Sequence, residues 1–413
     1  MESIVTEMKS SVAVAEPPAV PAAFPKSHLI VVILSYTAFV ILGLPDGIFG
    51  VAWPFMSRSF SVGLDAMGLL LLGGSAGFLL SSFTVGRWLS RMPFASFLLI
   101  GFTIRVVAML GYAAAPSLAW VVAASFVFGL GNGCIDAGLN TYFALRFSPR
   151  LMNWLHASFG LGATLGPLVM TGILAAGGVW RYGYITVVLL QLVLGVAVFI
   201  TRRHWLIPPQ QTADRDEHGE PAERFTIRQT LGVPAVWLGI ALFFFYTGVE
   251  VTAGNWSFTL LTEGRGVSVA TAGLLTTTYW GSFTLGRVVF GFIADRFRLV
   301  ALIRGCLAVT LLGAILLAIP LPWTALVGLI LVGFALAPIF PLLISETPLR
   351  LGSGLAQHAI GFQVGAASLG IAVLPSLAGI IATRTSMEAI PLFLIAVVLG
   401  LITLHEMQVR VHA

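Results

Sequence analysis

The sequence predicts an all-α membrane protein with twelve transmembrane helices in two pseudo-symmetric six-helix bundles. Of its 413 residues 58% are hydrophobic and 9% charged, and the mean hydropathy is +0.97. Soluble domains carry about a quarter charged residues, so this composition suits lipid as its solvent. The second observation is a set of apolar runs near the ~20 residues that a helical span requires. The third is a duplication. The stretch from Gly68 to Arg91 is echoed from Gly273 to Arg296, with Gly, Leu-Leu, Phe, Gly and Arg in the same places. Gly129, Ile135, Leu139, Ala163, Leu165 and Gly166 likewise recur as Gly333, Ile339, Leu343, Ala367, Leu369 and Gly370. Duplicated halves with a site between them are a common plan for solute carriers.

The spans fall near residues 29–51, 66–86, 94–114, 118–144, 151–177 and 181–201 in the first half, and 231–258, 270–293, 299–319, 324–346, 352–382 and 388–406 in the second. Residues 1–26 mix Pro and Ala with scattered charges and read as a disordered cytoplasmic tail. The halves are then 27–203 and 230–407, joined by a polar cytoplasmic linker, 204–229, with a second cytoplasmic tail at 408–413. Cys134 and Cys306 lie within apolar runs, where a disulfide scaffold has no role, and read as packing residues.

The net charge of +5 is not a nucleic-acid signal, because the arginines alternate by loop. Arg87 and Arg91, Arg146 and Arg150, the linker cluster, Arg296 and Arg298, and Arg350 fall on one side; Arg58, Arg181, Arg265 and Arg384 fall on the other. By the positive-inside rule the first set, and both termini, face the cytoplasm of a plasma (inner) membrane.

Charge at the bilayer centre is costly, so an ionisable residue inside a span points to function. Asp46, Arg105, Asp136, His156, Glu250 and Arg287 qualify; Arg304 and Glu346, near helix ends, are expected to snorkel to the interface. Asp136 shares a helical stripe with Asn132 and Asn140 among glycines that permit close approach. Asp46 follows Pro45, which loosens its helix. Glu250 falls within one residue of its repeat-equivalent, so each half offers an acid at similar depth. These three acids are the candidate proton-coupling groups, with Arg105 and Arg287 as charge partners. Candidate solute ligands are Asn132, Asn140, Asn153, His156, Tyr246, Asn255, Trp256, Tyr279, Trp280, Gln357 and Gln363. The chain shows no Cys/His set at metal-ligand spacing and no phosphate-binding loop, so neither an enzyme nor a metal or other cofactor is expected. The expected partners are a small solute, protons and the lipid bilayer, with no nucleic acid, for a monomer.

These residues resemble the major facilitator superfamily. Its loop signature resembles Gly86-Arg-Trp-Leu-Ser90-Arg91 and, in the second half, Gly291-Phe-Ile-Ala-Asp295-Arg296. The resemblance implies a conformational latch at Gly86, Arg91, Gly291, Asp295 and Arg296, with Ser90 departing from the usual acid. Within the superfamily the chain is similar to fucose-permease-like carriers and their bypass-of-stop-codon relatives. The likeness is carried by Gly43-Leu-Pro-Asp-Gly47, Gly133-Cys-Ile-Asp-Ala-Gly-Leu-Asn140, Asn153-Trp-Leu-His-Ala-Ser-Phe-Gly-Leu-Gly162 and Gly248-Val-Glu-Val-Thr-Ala-Gly-Asn-Trp256. That implies proton-coupled symport of a sugar-like solute, with acids in the first and fourth helices matching Asp46 and Asp136. Gly162, Gly166 and Pro167 partly match a drug/proton antiporter signature, although Met170 and Thr171 stand where it has glycines. Antiport of a drug or metabolite is therefore the alternative.

Overall fold

The computed structural model describes residues 26–89, 91–147, 149–205 and 226–411. The first half contains α1 (Lys26–Ser59), α2 (Met67–Leu89), α3 (Phe94–Ala113), α4 (Leu118–Arg146), α5 (Pro149–Ala175) and α6 (Arg181–Ile200). The second contains α7 (Pro234–Thr259), α8 (Val269–Ile293), α9 (Leu299–Ala318), α10 (Trp323–Gly352), α11 (His358–Arg384) and α12 (Ala389–Val411). Helical hydrogen bonding runs on from α10 into α11 and breaks in geometry at Gly352, whose φ of +74° suits a residue without a Cβ.

Eleven of these helices are long and apolar enough to cross a membrane. The twelfth, α8, is long enough but less apolar, because Thr271, Thr276, Thr277, Thr278, Ser282, Thr284 and Arg287 interrupt it. The spans alternate in direction. Both ends of the chain's helical body therefore lie on one face, called here the terminal side; the opposite face is the far side.

The duplication in sequence is a duplication in packing. α1 packs on α5 as α7 does on α11, α2 on α4 as α8 on α10, α3 on α6 as α9 on α12, and α1 on α6 as α7 on α12. Without water to drive helices together in lipid, small residues that let backbones touch supply the contact. On α1, Gly43 and Gly47 face α5, where Gly162 and Gly166 answer them. A Cβ on Gly162 would lie 1.9 Å from the Val40 carbonyl oxygen, and one on Gly47 2.1 Å from that of Ala163. The glycines that resemble an antiporter signature thus pack α5 against α1.

The halves meet through α2 with α11, α5 with α8, and α1 with α7. Thr164 and Thr284 hydroxyls join α5 and α8 at 3.1 Å near mid-depth. On the far side Arg58 of α1 pairs with Glu263, just beyond α7. On the terminal side no atom lies within 4 Å of a Cβ placed on Gly86 of α2 or on Gly361 and Gly365 of α11. The described polar contacts that join the halves thus lie at mid-depth and on the far side.

Three features differ from the sequence expectation. α1 continues through Pro54 to Ser59, beyond the expected end at 51. Glu346 does not snorkel: it is 3% exposed and pairs with Arg350 one turn on, whose guanidinium also donates to the Gln408 carbonyl at 3.1 Å. Arg304, by contrast, is exposed and makes a two-pronged pair with Glu406, at 2.6 Å for each bond. Of the expected linker, residues 206–225 lie outside the described residues; after them Thr226 and Gln229 form a reciprocal cap on a short helix, Ile227–Leu231. The expected N-terminal tail, 1–25, also lies outside.

Candidate functional site

A cavity of about 340 Å³ lies between the halves, lined chiefly by α1, α2, α4 and α7 and completed by α3, α5, α6, α8 and α11. Asp46, Asp136 and Glu250 all line it. Apolar and aromatic side chains form most of the remaining wall, among them Phe49, Phe78, Phe128, Phe159 and Trp280. Among the described residues no lysine, arginine or histidine is part of the lining.

Each acid has a local reason for its place. Pro45 has no N–H to offer the carbonyl of Ile41, four residues back. Arg105 of α3, fully buried, fills that gap: it donates to the carbonyls of Ile41 at 2.8 Å and Leu42 at 3.1 Å, and to the Gln191 side-chain oxygen of α6 at 3.0 Å. Its guanidinium also lies 5.4 Å from the Phe128 ring centroid. Arg105 thus holds the loosened turn that carries Asp46 and acts on that carboxylate through its field, while its hydrogen bonds go to amide oxygens. Asp136 lies beside the Asn140 side chain one turn along α4. Glu250 lies beside the Tyr246 hydroxyl and within the field of Arg287, whose guanidinium rests 4.5 Å from the Phe283 ring centroid.

Of the candidate ligands, Asn132, Asn255 and Trp280 line the cavity. The Asn132 side-chain oxygen is buried without a hydrogen-bond partner, and so is that of Asn140. Asn153 and His156 are exposed on the terminal part of α5, His156 edge-on to Phe39 at 5.8 Å. Tyr246, Trp256, Tyr279 and Gln363 are buried and hydrogen-bonded. Tyr246 donates to the Leu336 carbonyl at 3.1 Å, Trp256 to that of Pro375 at 2.9 Å and Tyr279 to that of Glu250 at 2.7 Å, while Gln363 accepts from Thr347 at 3.0 Å. The side chains of Gln357 and Asp295, and all of Ser90, lie outside the described residues. Arg91, Gly291 and Arg296 are exposed on the terminal side.

The cavity also holds residues that sequence reasoning passed over: Tyr112, Ser125 and Tyr184, with Ser75 and Ser368. The two tyrosine rings lie 4.9 Å apart in the first bundle, and both lie within the field of Asp46. Their positions near span ends suit interfacial anchors equally well, which hides them in the sequence.

The profile of the Major Facilitator Superfamily matches residues 35–345 and 238–407. The chain belongs to this superfamily. Among its relatives, bypass of stop codon protein 6 of Saccharomyces cerevisiae is 22% identical over 396 residues, covering 87% of this chain and 78% of that protein. The glucose/mannose transporter GlcP of Bacillus subtilis is 21% identical over 355 residues, covering 84% and 86%. The crystal structure of the E. coli fucose:proton symporter FucP superposes with a TM-score of 0.61 at 13% identity, covering 92% of this chain and 99% of that one. This major facilitator protein is an integral, multi-pass membrane transporter of small solutes, and not an enzyme.

Proposed function

We propose that the protein carries a small, sugar-like solute together with protons by alternating access. The observation that carries this reading is the convergence of Asp46, Asp136 and Glu250, from three helices and both halves, on one cavity. An acid in such a cavity can take up a proton from one side and give it up on the other as the halves rock about the site. Moving one charge through 100 mV is worth about 2.3 kcal/mol, enough for a roughly fifty-fold solute gradient. Asn132 and Asn255 are the amides placed to hydrogen-bond solute hydroxyls, and Trp280 offers a flat face to a sugar ring. The names of GlcP and FucP support a sugar as the cargo.

In this reading the arginine-rich loops and both termini are cytoplasmic in a plasma (inner) membrane, the protein acts as a monomer, and the described state is inward-facing. Gly86, Arg91, Gly291, Asp295 and Arg296 then latch the cytoplasmic side when the carrier opens outward. The test is uptake of radiolabelled glucose, mannose and fucose into proteoliposomes, with and without an inward proton gradient. The reading expects one of them to accumulate only with the gradient. Uptake of all three at the rate of protein-free vesicles contradicts it.

A further inference from the structure

The cavity breaks the symmetry of the repeat. In the first half it reaches α3 and α6, where Met109, Tyr112 and Tyr184 line it; among the described residues their counterparts α9 and α12 contribute nothing to the lining. This arm into the first bundle is aromatic. Tyr112, in the last turn of α3, lies with its ring centroid 4.9 Å from that of Tyr184, in the first turn of α6, and 6.2 Å from that of Phe128 on α4. The hydroxyls in the arm are turned to protein: Tyr184 donates to the Met56 Sδ at 3.7 Å, Ser125 donates to the Val122 carbonyl at 2.7 Å, and Tyr112 lies beside Ser125. Asp46, in whose field both tyrosines lie, serves the proton in the reading above.

We infer that the cargo has two parts: the cavity takes a glycoside of an apolar aromatic alcohol, its sugar held by Asn132, Asn255 and Trp280 and its apolar ring seated against Tyr112, Phe128 and Tyr184. The inference rests on the sugar reading above and names the class of sugar derivative that fills the same site.

Size and chemistry both favour a cargo of this kind. About 340 Å³ falls in the range of ~300–1,000 Å³ typical of pockets that enclose drug-sized ligands. Phe128, Asn132 and Asp136 lie on one stripe of α4, so the aromatic arm joins the polar part of the cavity one turn from Asn132. The eight residues from Phe128 to Asp136 span about 12 Å of helix, longer than a single sugar ring. A free hexose carries hydroxyls around its ring, and any of them placed in the arm would lose water for no partner. A wholly apolar cargo would leave the Asn132 side-chain oxygen, buried and without a hydrogen bond, unserved. A nucleobase as the second ring would bring polar edges to an arm whose hydroxyls already serve the protein. One hydroxylated ring joined to one apolar ring meets both parts, with the apolar ring packing on the tyrosine and phenylalanine rings as aromatic pairs do.

The test is calorimetric titration of the full chain in lipid nanodiscs with the methyl and phenyl glycosides of glucose, mannose and fucose. For at least one of the three sugars the phenyl glycoside should bind at least about tenfold more tightly than the methyl glycoside, a modest share of what burying a phenyl ring yields. Phe128→Ala should cut that ratio to less than about threefold, and Tyr184→Leu, which keeps the arm filled with apolar bulk, gives a second and milder reading of the same loss. Asn132→Ala should weaken both glycosides alike and leave the ratio near the parent's. Equal binding of methyl and phenyl glycosides for all three sugars, or no binding of any, overturns the inference, as does a ratio that stays at the parental value in both Phe128→Ala and Tyr184→Leu. Proton-driven uptake of a free hexose beside equal glycoside binding removes only the two-part cargo. A tighter phenyl glycoside beside failed proton-driven uptake keeps the two-part cargo and removes the coupling.

Discussion

The Arg105 guanidinium donates at 2.8 Å to the Ile41 carbonyl, which Pro45 four residues on leaves without its helical partner. A charge that looks out of place in lipid thus serves a carbonyl freed by the proline just before a cavity acid. Its backing amide, Gln191, comes from α6, so two helices, α3 and α6, converge on one turn of α1.

Removing the arginine orphans buried acceptors, each costing about 1–3 kcal/mol. Arg105→Met should therefore lower stability by about 3 kcal/mol, read as an earlier thermal unfolding midpoint of the purified protein. Pro45→Ala returns an N–H to the Ile41 carbonyl, so Arg105→Met should cost about 1 kcal/mol less in that background. An identical loss in the parent and in the Pro45→Ala background would show that the arginine does not serve this carbonyl.

The close approach of α1 and α5 gives a second expectation. Gly162→Ala places a methyl 1.9 Å from the Val40 carbonyl oxygen, whereas nothing lies within 4 Å of one at Gly172 on the same helix. Gly162→Ala should destabilise by about 1–3 kcal/mol as the helices are forced apart, and Gly172→Ala should leave the unfolding midpoint unchanged. Equal midpoints for the two variants would contradict the packing.

How far the sequence reveals this architecture can be followed residue by residue. Hydropathy finds most spans, and the repeat supplies α8, whose threonines and Arg287 dilute its apolar signal. The end of α1 is missed because Pro54 reads as a stop, while in a membrane helix neighbours can satisfy the freed backbone groups. Asp46, Asp136 and Glu250 stand out by being acids in apolar runs, and the fold brings all three to one cavity. The hydroxyls of Tyr112 and Tyr184 do not stand out, because a span-end tyrosine has the same signature at an interface as in a cavity wall. The role of Arg105 is hidden for a different reason: Pro45 announces a free carbonyl, but nothing in the one-dimensional pattern says that α3 meets α1 at that depth.

Orientation can be checked directly. In a chain without Cys134 and Cys306, a cysteine at Arg228 should be shielded from an impermeant thiol reagent in intact cells, and one at Ser386, exposed between α11 and α12, should react. The reverse pattern would invert the topology and, with it, the assignment of the described state as inward-facing.

The central claim is that a carboxylate in the cavity moves the proton that drives the solute, and Asp136 is its sharpest test. Asn in its place keeps the shape of a protonated acid but has no proton to release. Counterflow and gradient-driven accumulation of the sugar that the parent transports should be measured together in proteoliposomes of Asp136→Asn. The account predicts that counterflow persists at a rate near the parent's while accumulation driven by an inward proton gradient disappears. Accumulation that survives the substitution at the parental level would contradict it.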